Sequence, residues 1–490
     1  MKKALALILA LVMAVVLMTA CNAPAPSPSA PTVAPTTDTT TPATEAPKEL
    51  TGTLKVWSFT TEIKTFATAF QKANPGVKVE YTVTPMTNGE YQTKVKAAIQ
   101  AGDVPDVIAL EAAFVKEYVE ADEILADLSD LRATAEGIGA YQFMLDVGTK
   151  DGVTKAYSYQ ATPGALFYRR SLAKSYFGTD DPAKMQETLA DMAKFEAAAA
   201  VVKEKSAGNT YMVCSVGDFT NPIYNQRANP WVVDGKLNID PKVNDLFAIA
   251  KRFRDNGYEA MAKQWQEGWF AGMNDSLKDA KGNAKQVFCY FLPTWGLPYV
   301  LMPHGVPTAL DAKKPDAKTG KDTTGDWACI PGPLSYSWGG TWVGAMKDTK
   351  NMDLAKAFIK FMTMDEQTLK DWALGTYTNE YLKAIDPTIG DDQKQGPGDF
   401  VNSQKVVAEI TPQFDSAETS KFLAGQNSYK GFADAAPKIS LKLMQGTDDA
   451  IQRALNDPLD SYAAGKMTLD AAIKAFKDAV KNAEPDLIVE

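Results

Sequence analysis

Histidine is almost absent from this chain: among 490 residues there is one, His304. A histidine-dependent triad is hard to build around it, a His–Cys zinc site is implausible, and its MPHGVP setting reads as a loop. Cysteine is nearly as scarce, with only Cys21, Cys214, Cys289 and Cys329. Cys289 in QVFCYFL and Cys329 in DWACIPG could pair. Three thiols beyond Cys21 leave at least one free, however, and buried free cysteines are common, so no disulfide is expected. No basic block offsets the net charge of −9, which argues against a nucleic-acid or anionic-lipid surface. What is not scarce is acid: 60 Asp and Glu leave open the two-carboxylate chemistry of a glycoside hydrolase.

At the start of the chain, Lys2 and Lys3 precede an apolar run, Ala4 to Leu17, that closes on Met18-Thr19-Ala20-Cys21. A charged start, a short apolar core and small residues before a cut mark a removed signal peptide, here residues 1–20. The run falls short of the ~20 apolar residues that span a bilayer. A cysteine just after the cut resembles the bacterial lipoprotein pattern, with Met18 where that pattern prefers Leu, Val or Ile. Cys21 is then the lipidated first residue, and the protein sits outside the cytoplasm. The expected place is the outer face of the cytoplasmic membrane, or the periplasm if there are two membranes. Residues 21–50 are rich in Ala, Pro, Ser and Thr, which cannot bury enough apolar surface to offset ordering entropy. They read as a tether that, at ~3.3 Å per residue, lets the body stand several nanometres off the membrane.

The remaining body is 45% hydrophobic by whole-chain composition and longer than one core usually serves, so two lobes are expected. Leu54-Lys55-Val56-Trp57 reads as a strand. Ile63, Phe66 and Phe70 follow at helical spacing until Asn74-Pro75-Gly76, and Val77, Val79 and Tyr81 alternate as a second strand. Tyr91, Val95, Ala98 and Ile99 mark a helix ended by Gly102, and Val107 to Leu110 form a third strand. This βαβαβ order begins a doubly wound α/β sheet, in which ligands gather beyond the carboxyl ends of the strands. Trp57, Ser58 and Glu62 lie at the first such end, and Leu110 and Glu111 at the third.

The stretches NPGVKVEY (74–81) and GDVPDVIALEAAFVKEYVEADEILADLSDL (102–131) resemble the first lobe of extracellular solute-binding proteins of ABC transporters, the branch similar to maltose-binding protein. AYSYQATPGALFYRRSL (156–172) is similar to that family's crossing into the second lobe. DWACIPGPLSYSWGGTWVGAM with DLAKAFIKFM (326–362) resembles the return, and FLAGQNSYKGFADAA (422–436) and YAAGKMTLDAAIKAFKDAV (462–480) resemble its last helices. The resemblance implies a type II periplasmic-binding-protein fold, each lobe a doubly wound sheet flanked by helices. Lobe 1 is then 51–157 plus 334–375, and lobe 2 is 164–328 plus 381–490, with hinges near 158–163, 329–333 and 376–380. It implies a monomer that closes on a carbohydrate between its lobes and hands it to ABC permease subunits. It implies no catalysis, cofactor or metal, and membrane contact through the lipid anchor alone.

Independently, the aromatics point to sugar. Trp57, Trp231, Trp295, Trp338 and Trp342 lie in loop-like or Gly-Pro-flanked settings rather than on helical stripes. An indole packs on the C–H face of a pyranose, and carboxylates and amides serve its hydroxyls. Any one of the five also fits a core position. In Trp338-Gly339-Gly340-Thr341-Trp342 the glycines, Gly340 among them, let backbone approach a ligand. Trp265 and Trp269, four apart on an expected helix, read as packing, as do Trp327 and Trp372. Polar candidates are Glu62, Glu111, Gln160, Thr162 and Asn225; Thr162 falls where the maltose branch carries a glutamate. Arg227 in YNQRANPW reads as a surface cation. Two rival readings remain: a cell-surface glycoside hydrolase, and the same fold serving a non-sugar solute.

Overall fold

The computed structural model describes residues 49–306, 320–391, 393 and 395–490. The expected signal peptide, Cys21 and the tether up to residue 48 lie outside the described residues. Glu49–Glu490 forms one compact unit. Among the described residues no helix is long and apolar enough to cross a membrane.

The first sheet has five strands. Gly52–Ser58 pairs in parallel with Val77–Val83 on one side and Val107–Glu111 on the other, as the βαβαβ pattern requires. Leu54, Val56 and Ser58 are buried in alternation, while Val107 to Leu110 are buried without a break, the pattern of a strand covered on both faces. Helix Glu62–Ala73 covers this sheet through Ile63, Phe66 and Phe70. The fourth strand, Thr341–Ala345, arrives from far along the chain and lies antiparallel to Val107–Glu111, with Thr341 opposite Glu111. Tyr157–Ser158 pairs with its free edge.

A second sheet is built on Gly164–Arg169, flanked by Cys289–Pro293 and Trp327–Ile330, both antiparallel to it. Its central strand is buried on both faces. Ala165 and Phe167 join the core that continues from the first sheet, whereas Leu166 and Tyr168 enter a separate core beneath helices Met192–Lys205, Pro241–Asp255, Asp448–Ala463 and Leu469–Ala483. The period of two also separates the thiols: Cys289 belongs to one core and Cys329 to the other. Cys214, Cys289 and Cys329 are all free and buried.

Between the sheets, residues 158–164 run beside 336–341. Ser158 Oγ donates to Thr341 O (2.7 Å), Trp338 N to Thr162 O (3.1 Å), Thr162 Oγ1 to Gly339 O (2.9 Å), and Gly164 N to Tyr336 O (2.7 Å). Past the expected crossing at 376–380 the chain stays with the helices of the first sheet. Leu382 and Ile389 join their core, Lys72 Nζ lies 4.1 Å over the Tyr381 ring, and Gln393 Nε2 donates to Thr61 O (2.6 Å). The physical reason is apolar: helix Glu62–Ala73 has a second face that these residues cover. His304 sits in the short helix Met302–Gly305, not in a loop, with its ring stacked 3.9 Å from Phe270.

Candidate functional site

Two adjoining chambers open where the carboxyl ends of the first sheet meet the ribbon between the sheets. Glu111 and Gly339 line both. The larger chamber, about 400 Å³, is walled by Asn221, Tyr224, Asn225, Arg227, Trp338 and Met444, with Asp448, Asp449 and Arg453 from the helix Asp448–Ala463. The smaller, about 200 Å³, is walled by Phe59, Glu62, Gln160, Trp295, Tyr299 and Asp399.

Glu111 owes its place to the end of the third strand. Its Oε2 accepts from Ala113 N at 2.7 Å, and Ala112 N donates to Gly340 O at 3.1 Å. Burial raises its pKa to about 7, against the lowering effect of the Ala113 amide. The double glycine shapes the wall. At Gly339 (φ +76°) a Cβ would lie 2.9 Å from Trp295 Nε1, and at Gly340 (φ +122°) it would lie 3.0 Å from the Trp342 ring. Both positions therefore need glycine on grounds of φ and of space. With no side chain in the way, Trp295 Nε1 donates to the backbone carbonyl of Trp338 at 3.0 Å, and the two rings meet edge-on with centroids 5.6 Å apart.

In the smaller chamber, Gln160 Nε2 donates to Tyr159 OH (2.9 Å), which donates to Glu62 Oε2 (2.5 Å). Asp399 stands behind this line and accepts from Trp372 Nε1 at 2.7 Å. Burial, with the nearby Glu62 charge adding to it, pushes its pKa up to about 7. In the larger chamber, Arg227 Nη2 meets Asp448 Oδ2 at 2.8 Å with both side chains buried, and the guanidinium lies 4.8 Å over the Trp231 ring. Burial raises the Asp448 pKa to about 6 although Arg227 pulls it down.

Of the residues singled out from sequence, Glu62, Glu111, Gln160, Asn225, Trp295, Trp338, Gly340 and Trp342 line one chamber or the other. Trp342 is fully buried and donates to Met144 O at 3.0 Å, so it supports the wall from behind. Thr162 is also fully buried and lines neither chamber; it holds Gly339 from beneath. Trp57 lies under Lys94 Nζ (4.6 Å), away from both chambers, and Phe59 takes the place at the strand end. Trp231 is packed between Tyr224 and Phe476 in the second core. Two readings are corrected. Arg227 is not a surface cation, because Asp448, more than 200 positions away in the chain, neutralises it in the interior. Trp265 is not a packing residue of a helix: the helix begins only at Glu267, and the Trp265 indole is 48% exposed beside Trp295 and Trp338. Phe59, Tyr299, Asp399 and Asp448 carry no local signal in the sequence; only tertiary packing brings them here. Among the described residues no cluster of three or more His, Cys, Asp or Glu is arranged to hold a metal ion.

Two α/β lobes with a cleft of indoles, amides and carboxylates at their junction define a ligand-binding protein of the two-lobe type. The chain belongs to the bacterial extracellular solute-binding proteins: the model of that family matches residues 65–382. No curated protein matches the sequence. Solved structures show the same fold. One titled an extracellular solute-binding protein family 1 is 16% identical with a TM-score of 0.70, covering 88% of this chain and 99% of that one. The sugar-binding protein MalE of Xanthomonas citri is 16% identical with a TM-score of 0.62, covering 88% and 97%. The galacto-N-biose/lacto-N-biose I-binding protein of Bifidobacterium longum, solved with lacto-N-biose, is 14% identical with a TM-score of 0.60, covering 90% and 99%.

Proposed function

We propose that this protein is the carbohydrate-capturing component of an ABC importer, binding an oligosaccharide in the double chamber and delivering it to a membrane permease. One observation carries the reading: a single cleft presents the indoles of Trp295 and Trp338 together with Glu62, Glu111, Gln160 and Asn225. Flat apolar faces beside convergent donors and acceptors are what a pyranose needs. Support comes also from Tyr224 OH, Arg227 Nη1 and Asp448 Oδ1, buried polar atoms of the larger chamber's wall with no hydrogen-bond partner among the described residues. Such atoms are costly to bury and each calls for an explanation, and three of them meet in this one wall. The similarity in fold to sugar-binding relatives points the same way.

In this reading the protein is a monomer without catalytic activity. Lipidation at Cys21 tethers it to the outer face of the cytoplasmic membrane, and the contacts of both lobes with the sugar favour a closed form that the permease recognises. The test is tryptophan fluorescence titrated against a panel of plant and starch oligosaccharides, with the sugar re-analysed afterwards. A saturable change with intact sugar supports capture. Silence across the panel moves the ligand to another solute class, and cleaved sugar overturns the binding reading in favour of a hydrolase.

A further inference from the structure

The loop before helix Glu267–Ala271 has an unusual backbone. Met261 (φ +58°) and Trp265 (φ +65°) both adopt the left-handed conformation, which large L-residues rarely tolerate, and both are exposed, at 61% and 48%. A left-handed backbone at a tryptophan costs free energy, and such outliers concentrate at binding sites. The Trp265 ring is not loose. It is nearly parallel to Trp295 (12°, centroids 6.2 Å apart), edge-on to Trp338 (6.0 Å) and tilted against the buried Trp269 (5.2 Å). Trp295 belongs to the smaller chamber, and Trp338 and Gln264 to the larger. Trp265 thus stands against the rings of both chambers and carries the indole surface outward into solvent.

We infer that Trp265 is a specificity-determining residue: an outer stacking platform for a saccharide chain that continues beyond the enclosed chambers. The solvent-facing side of its ring offers one more sugar face than the chambers hold, so ligand length, rather than the identity of the innermost sugar, is what it reads. This rests on the carbohydrate reading proposed above. Glycine accepts the left-handed backbone, so Trp265→Gly removes the ring without adding strain.

The experiment is calorimetric titration of the full chain and of its Trp265→Gly and Trp265→Phe variants with a homologous series from di- to heptasaccharide of the sugar that gives the strongest fluorescence response. The expected result is unchanged affinity of Trp265→Gly for the short members, which also shows that it is folded. Its affinity for the long members should fall about tenfold, the loss of one ring contact, while Trp265→Phe retains most of the length dependence. Equal loss at every length, or none at any length, overturns the platform while leaving carbohydrate capture standing. No binding of any saccharide by the unmodified chain overturns both.

Discussion

Replacing Asp399 by Asn should make the protein more stable at pH 8 and leave it unchanged at pH 4. Asp399 is 5% exposed, and its carboxyl has a pKa of about 7 against an ordinary value of 3.8, through burial first and the Glu62 charge second. The folded state therefore holds this proton more tightly than the unfolded chain does. Its stabilising contribution is complete below pH 3.8 and is lost as the pH rises through about 7. A shift of roughly three units corresponds to about 4 kcal/mol, an order-of-magnitude figure, that the ionised carboxylate costs at pH 8. Asparagine is uncharged at every pH and nearly the shape of the protonated acid, and its amide oxygen can accept from Trp372 Nε1 as Asp399 does now at 2.7 Å. For a body of this size the gain corresponds to a rise in Tm of about 4 °C at pH 8. Thermal melts of both proteins from pH 4 to 8 provide the assay. Glu111 and Asp218, also raised to about 7 by burial, titrate in both proteins and drop out of the difference. A Tm difference that stays flat across this range, or one that is largest at acidic pH, refutes the buried-proton account.

Three further outcomes follow from the geometry. Trp295→Ala should weaken sugar binding by about 2 kcal/mol with little change in melting temperature, because the half-buried ring lines the smaller chamber and its one hydrogen bond goes to Trp338 O; fluorescence titration and melting of one preparation check both halves. Trp342→Ala should act the other way, costing about 3–5 kcal/mol of stability in denaturant unfolding, since a fully buried indole leaves a cavity and an unpaired Met144 carbonyl. Arg227→Leu should destabilise by about 3–5 kcal/mol near pH 8 by stranding Asp448. The Arg227→Leu, Asp448→Leu double variant, also measured by denaturant unfolding, should recover most of that loss.

The first sheet was legible because two of its parallel strands, GTLKVWS and VKVEYTV, alternate apolar with polar residues and the third, VIALE, is an apolar run, and because helix Glu62–Ala73 shows its buried stripe at i, i+3 and i+7 through Ile63, Phe66 and Phe70. The cleft wall around Trp338–Trp342 was legible for a similar local reason, the conjunction of glycines and indoles. What stayed hidden was decided at long range. Arg227 lies in a polar stretch that any reading places on the surface, and only the arrival of Asp448 makes its burial affordable. Trp231 and Trp265 were exchanged in role, since a proline neighbour suggested a loop for the one and i, i+4 spacing suggested a helix for the other. Packing against Tyr224 and the distant Phe476 decided the first and a left-handed backbone the second, and neither leaves a trace in composition.

The paired segments 158–164 and 336–341 set a mechanical condition on any motion of the two sheets. Hydrogen bonds at Ser158, Thr162 and Gly164 join them along their length, so one cannot slide past the other without breaking several bonds together. The ribbon thus couples the two sheets in shear, and it is held in place by further bonds from Asn221, Asn225 and Asn402. Because Gly339 belongs both to this ribbon and to the walls of the two chambers, the two chambers share one wall whose position the ribbon fixes.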